Sequence, residues 1–265
     1  MTHRCCKLGS CSKYLFTNSM LINKIEDADL KNGSILLVDK PLRWTSFDVV
    51  NKIKYEIKRI TACKNFKIGH AGTLDPLASG LLLVCIGKCT KMIEEIQSLP
   101  KEYTGDFTLG ATTASFDLEH KPENFLPFAH ISTEQINAAA NQLTGTIQQY
   151  PPIFSAVKVA GKRAFDYARQ AQEVKLQPKQ VTIHSFEIEK VDLPEITFTI
   201  SCSKGTYVRA IARDLGELLE CGAYLSQLRR TKTGNFSVEH ALNFTPYLSQ
   251  RDETKFAGKK RGFEE

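Results

Sequence analysis

An α/β fold is what this sequence predicts, and two stretches predict it. In the first, "SILLVD" (34–39) is the short apolar run of a strand, and "TSFDVVNKIKYEIKR" behind it places Val49, Val50, Ile53 and Ile57 on one helical face. In the second, "ITFTISC" (196–202) alternates apolar and polar residues, the period of a strand with one covered face. "SKGTYVRAIARDLGELLE" follows it, with Val208, Ile211, Ala212, Leu215, Leu218 and Leu219 on one side of a helix. At 265 residues and 42% hydrophobic content the chain is long enough for one large core or two modest ones.

The elements follow in order. Thr45 and Asp48 stand at capping-box spacing at the start of the first helix. "GHAGTLDPLASG" (69–80) interrupts the pattern. Pro76 biases Asp75 away from helical geometry, and Gly69, Gly72 and Gly80 admit backbone conformations closed to other residues, so the Asp75 carboxylate is expected on a shaped loop. "LLLVCI" then reads as a buried strand, followed by a short helix through Met92 and Ile96 and a strand over 103–109. Ser132 and Gln135 form a second capping box before Ile136, Ala139, Ala140 and Leu143, and "TGT" and "YPP" break the chain after them. The strand, glycine turn and helix of 196–219 put Tyr207 and Arg209 in the helix's first turn. Arg209 and Arg213, four apart on one face, read as solvated cations unless an anion lies opposite, and Asp75 is a candidate for that anion.

Composition excludes several classes. Lys plus Arg exceeds Asp plus Glu by 6, which suits a polyanionic partner without requiring one. No apolar run approaches the roughly 20 residues of a membrane-spanning helix. The eight cysteines include no CxxC pair, so neither a zinc site nor a disulfide framework is expected, and reduced thiols in a cytoplasm are the default. "GKCT" (87–90) fails as a phosphate-binding loop because Cys89 stands where Ser or Thr is needed and Leu82 where glycine is needed. "HAG" lacks the glutamate of a zinc deaminase. Residues 1–30 lack a signal-peptide core and are left outside the fold: an Arg-poor targeting segment, a disordered extension and a translation start at Met20 stay open.

Six stretches in order carry a resemblance: "LLVDKP" (36–41), "GHAGTLDPLASGLL" (69–82), "KEYTGDFTLG" (101–110), "YPPIFSAVKVAGKRAFDYAR" (150–169), "CSKGTYVRAIARDLG" (202–216) and "GAYLSQLRRTKTGNFS" (222–237). Together they resemble the TruB-type tRNA pseudouridine synthases over roughly 31–240. The resemblance implies the pseudouridine synthase fold, a mixed, largely antiparallel sheet flanked by helices. It implies isomerisation of a uridine in the T-arm of transfer RNA, at the position conventionally called 55, with no cofactor and no metal. Residue by residue, it makes Asp75 the essential carboxylate and Arg209 the guanidinium paired with it. Tyr103 becomes the aromatic that stacks on the base and assists proton removal. His70 becomes the residue filling space vacated in the RNA loop, Tyr207 and Leu228 line the nucleotide pocket, and Lys40 and Pro41 match a structural motif near the site. A monomer is expected. Many family members carry a C-terminal PUA domain; 241–265 reads here as a short tail without one.

The chemistry fits these residue types. The reaction breaks the bond from C1′ to N1, turns the uracil and joins C1′ to C5, with no net redox change. A carboxylate serves it by covalent attack or by stabilising positive character at C1′, and a bidentate arginine orients that carboxylate better than lysine does. Lys158, Lys162, Arg163, Arg229 and Arg230 are candidate phosphate contacts. Two other readings remain. A nucleoside or base glycosylase would use two carboxylates and admit water; a non-catalytic RNA-binding or RNA-folding protein would not need Asp75.

Overall fold

A computed structural model describes residues 20–247, apart from 156, 160, 169, 171, 173 and 175. In chain order its elements are β1 (Leu21–Ile22), β2 (Ser34–Lys40), α1 (Ser46–Thr61), β3 (Ile68–His70), β4 (Ala78–Ile86), α2 (Ile93–Ser98) and β5 (Lys101–Leu109). There follow α3 (Thr133–Gln142), β6 (Gly145–Gln149), β7 (Lys158–Val159), β8 (Lys162–Arg163), α4 (Ala164–Ala168), β9 (Lys179–Asp192) and β10 (Glu195–Cys202). The chain closes with α5 (Val208–Leu218), β11 (Ala223–Thr233), β12 (Phe236–Ser237) and β13 (Leu242–Asn243). Both capping boxes form: Thr45 with Asp48 opens α1, and Ser132 with Gln135 opens α3.

Among the described residues one mixed sheet runs β1-β2-β4-β11-β5-β10-β9-β6, with β3 on β4, β12 on β11 and β13 on β2. Most neighbours are antiparallel; β4 and β11 run parallel, as do β1 and β13 with β2. The alternation of 196–202 works as expected, because Ile196, Phe198, Ile200 and Cys202 all turn into the core.

Two helix-covered lobes share one face of the sheet. Leu82, Val84 and Ile86 of β4 pack with Val49, Val50, Ile53 and Ile57 of α1. Phe107 and Leu109 of β5 and Ile196, Phe198 and Ile200 of β10 pack with Val208, Ile211, Ala212 and Leu215 of α5. Between the lobes, Gly80, Arg230 and Tyr103 lie in register across β4, β11 and β5 on that face. The opposite face of β4, with Leu81, Leu83 and Cys85, packs on Met92 and Ile96.

Three expectations differ from the structure. Residues 20–30 and 241–247, set outside the catalytic domain as extension and tail, build the edge beside β2: Leu21 and Ile22 pair with Ile35 and Leu36, and Leu242 with Val38. Ile25 and Phe244 are buried in the α1 lobe, where Phe244 meets Trp44 edge-on. Short segments at chain ends show no periodicity, so their docking was invisible in the sequence. The remainder of each segment, 1–19 and 248–265, lies outside the described residues. Leu218, expected on the buried face of α5, is exposed, since the helix ends at that residue. "TGT", read as a break, does end the helix, but its last two residues, Gly145 and Thr146, open edge strand β6 against β9.

Candidate active site

Asp75 sits in the connection from β3 to β4, and backbone-directed bonds hold that loop. The Ser46 hydroxyl at the start of α1 donates to the Leu74 carbonyl and accepts from its amide. The Arg43 amide donates to the Pro76 carbonyl, and the Ala78 amide to that of Asp75. Gly80 is required where the loop enters β4: its φ is +99°, and a Cβ there would lie 2.3 Å from the Arg230 carbonyl oxygen. The loop is therefore fixed through its main chain, which leaves the Asp75 side chain 46% exposed and open to a ligand.

Arg209 meets it from α5. The side chain is 8% exposed, and its Nη2 lies 2.9 Å from Asp75 Oδ2. Nη2 also donates to the Phe154 carbonyl, Nη1 donates to the Ser115 carbonyl, and Nε lies 3.5 Å from Asp117 Oδ2. A planar fork with several acceptors in fixed directions has little freedom to turn. Asp117 is itself held: its Oδ1 accepts from the Ser115 hydroxyl at 2.6 Å and from the Glu119 amide. The carboxylate of Asp75 thus faces a cation braced from behind by a second, buried carboxylate.

The other expected residues can now be placed. Asp75, Arg209 and Leu228 line one pocket, together with Asp117, Leu118 and Leu225. Tyr103 and Tyr207 are not among its lining residues, although the Asp75 charge acts on both phenols. Burial is the main cause that raises the Tyr103 pKa, and the neighbouring Arg230 guanidinium pulls it partly back. Burial likewise raises that of Tyr207. Tyr207 caps α5 in an extended conformation, its amide donating to Gln149 Oε1 and its carbonyl accepting from Gln149 Nε2. His70 ends β3 and does not line this pocket. Burial first, and then Arg230, lower its pKa, so the imidazole is neutral at neutral pH, and its Nδ1 is buried without a hydrogen-bond partner. Lys40 is fully buried: its ammonium donates to the Pro41 and Trp44 carbonyls, and desolvation lowers its pKa to about 7 against the opposing pull of Asp75.

The candidate phosphate contacts divide. Arg229 lies on the far face of β11 and pairs with both oxygens of Asp39. Arg230 is 1% exposed and donates to the Leu81 and Gly72 carbonyls, so it braces the site and offers nothing to a phosphate. The period of two along β11 would have separated this pair in the sequence. Lys162 is exposed, whereas the side chains of Lys158 and Arg163 lie outside the described residues. Sequence reasoning missed Asp117 and Gln149 altogether. Each acts on a partner 58 or more residues away, and neither stands in a pattern that marks it.

Among the described residues no group of three or more His, Cys, Asp or Glu side chains is placed to hold a metal ion, and no helix is long and apolar enough to cross a membrane.

Known proteins resemble the chain closely. The family model for the TruB pseudouridylate synthase N-terminal domain matches residues 58–208, and that for the tRNA pseudouridylate synthase B C-terminal domain matches residues 209–249. A tRNA pseudouridine synthase B from Flavobacterium johnsoniae is 50% identical over 214 residues, 80% of this chain and 93% of its own. A protein of the same description from Phocaeicola vulgatus is 49% identical over 227 residues, 84% and 97% of the two chains. Among solved structures, a chain from a Cbf5-Nop10-Gar1 complex superposes with a TM-score of 0.61 at 26% identity, over 91% of this chain and 60% of that one.

Proposed function

The chain belongs to the TruB family of pseudouridylate synthases, and we propose that it isomerises uridine to pseudouridine in transfer RNA, acting in the cytoplasm on the T-arm position conventionally called 55. The observation that carries this reading is the pairing of a half-exposed carboxylate, Asp75, with a buried guanidinium, Arg209, at 2.9 Å. A glycosylase usually works with a second carboxylate facing the sugar and room for water. The second acid here, Asp117, is 5% exposed and points at the arginine.

In this account the target nucleotide leaves its stack, at a cost of a few kcal/mol, and enters the pocket beside Asp75. Stacking on an aromatic is worth about 1 to 3 kcal/mol per base, and Tyr103 supplies that face. Leu228 and Tyr207 close the pocket around the ribose and base, and His70 fills the space vacated in the RNA loop. The Asp75 carboxylate, oriented by Arg209, engages the nucleotide while the bond from C1′ to N1 breaks and C1′ joins C5. The C5 proton must then leave. N1 gains a proton as C5 loses one, so the isomerisation balances; Tyr103, a neutral phenol at neutral pH, can take the C5 proton only by passing its own proton on, and the Arg230 charge beside it favours the phenolate.

The test is direct. Purified protein incubated with an unmodified T-arm stem-loop should form pseudouridine at the one position and release no free uracil. Uracil release would establish hydrolysis, and binding without product would establish a non-catalytic RNA-binding protein.

A further inference from the structure

A groove at the far end of α1 is lined by Lys54, Lys58, Lys64, Asn65, Phe66 and Lys67. It holds four cations and no carboxylate. On the same helix Lys52 and Arg59 both pair with Glu56, at 3.6 and 2.9 Å. Among the described residues, none of Lys54, Lys58, Lys64 and Lys67 takes part in an ion pair. Phe66 packs on the α1 lobe and so anchors the loop that carries Lys64 and Lys67. The charge is held in place rather than left on a free tail.

Position relates the groove to the site. Ser46, bonded to Leu74 beside Asp75, begins α1, and Lys54 and Lys58 stand eight and twelve residues along it. At 1.5 Å per residue this is about 12 and 18 Å. β3 returns from Lys67 to His70, over about 10 Å of extended chain. α1 covers the sheet face on which Tyr103 and Arg230 lie, so groove and pocket share a side of the molecule. At about 3 Å per nucleotide along a duplex strand, this separation spans roughly three to six nucleotides.

We propose that this groove binds the phosphodiester backbone of the stem adjoining the everted nucleotide, and so sets how deeply the substrate RNA seats. The proposal rests on the reading of the chain as an enzyme of RNA. Charge complementarity selects the occupant: a phosphate ladder fits four unpaired lysines around an open trough, with Asn65 available to a phosphate oxygen or a ribose hydroxyl. The lysines act through position and not through sequence, because phosphate contacts carry no base information.

The experiment compares wild type with Lys58→Gln/Lys64→Gln on two stem-loops, one with a long stem and one with its stem cut short of the groove. Binding is measured across a salt series, with melting curves of both proteins alongside. On the long stem the variant should bind about tenfold more weakly, and the slope of log K against log salt should flatten by about one per lysine removed. In turnover the loss should fall on KM. On the short stem the two proteins should bind alike. Equal affinity and slope on the long stem would overturn the proposal and leave the groove a solvated surface or a site for an acidic protein. An equal loss on both stems would overturn the placement on the stem. Pseudouridine formation by the wild type is scored in parallel. If none forms on any RNA, the enzymatic reading fails while the binding comparison still reports on the groove.

Discussion

The two walls of the site are held in opposite ways. The Asp75 wall is a loop fixed by its main chain, through Ser46, Arg43, Gly80 and the Arg230 bond to the Gly72 carbonyl, and the Asp75 side chain is left half exposed. The Arg209 wall is a helix end fixed by its side chain, a buried fork with acceptors from 115, 117 and 154 as well as 75. The difference teaches a division of labour. The carboxylate that we propose meets substrate is half exposed and held through its backbone, and the guanidinium beside it is buried and has acceptors besides that carboxylate.

The sharpest way to break that contrast is Arg209→Lys. It keeps the charge and removes the fork, so the Ser115 and Phe154 carbonyls and Asp117 Oδ2 can no longer all keep their donors. We expect a loss of about 3 kcal/mol in urea denaturation and at least 100-fold in turnover. A variant within twofold of wild type in both would show that orientation by the guanidinium is unimportant.

Lys40 tests the buried side of the comparison by pH. Burial lowers its folded pKa from 10.5 to about 7, so between those values the unfolded chain holds more protons than the folded one. The Lys40 contribution to stability should therefore rise as pH increases from about 7 towards 10, opposed above about 9 by the buried Cys85 and Cys202 thiols, whose pKa burial raises to about 12 and about 11, and the full Lys40 penalty is present below that window. The rise should amount to roughly 3 kcal/mol. Lys101, lowered to about 8 by burial, adds to it in the same direction. Lys40→Met should remove the larger share of the slope, leaving that of Lys101. An unchanged slope would mean the ammonium is solvated.

How much of this was legible in the sequence follows the same division. The α5 wall was readable, because Val208, Ile211, Ala212 and Leu215 recur at helical spacing and place Arg209 in the first turn without further information. The Asp75 loop was readable as a loop from Pro76 and the glycines, but its role came only from resemblance to a family. The brace behind Arg209 was not readable at all. Asp117 is joined to Arg209 across 92 positions, and local periodicity does not report such distances. The ends were misjudged for the same reason, since Leu21, Ile22 and Phe244 gain meaning only against β2 and α1.

Smaller effects sharpen the picture. Asp117→Asn removes the buried charge behind Arg209 and should cost about 2 kcal/mol, with turnover reduced about tenfold and RNA affinity unchanged. Ser46→Ala takes a hydroxyl from both polar groups of Leu74. A loss of about 1 kcal/mol and a few-fold in turnover is expected in melting and single-turnover measurements. Arg229→Gln, on the far face with Asp39, should change stability by less than about 0.5 kcal/mol and leave turnover alone. A large loss of activity there would relocate the RNA to the other side of the sheet.

The central claim is that the half-exposed carboxylate does the chemistry and that its buried partner only aims it. Asp75→Asn tests it most directly, by single-turnover pseudouridine formation on a T-arm stem-loop with binding measured on the same sample. No detectable product is expected, with affinity for the RNA within a few-fold of wild type and a fold nearly as stable, because Arg209 keeps Asp117 and its two carbonyls. Product formed by the variant at a rate near that of the wild type would contradict it.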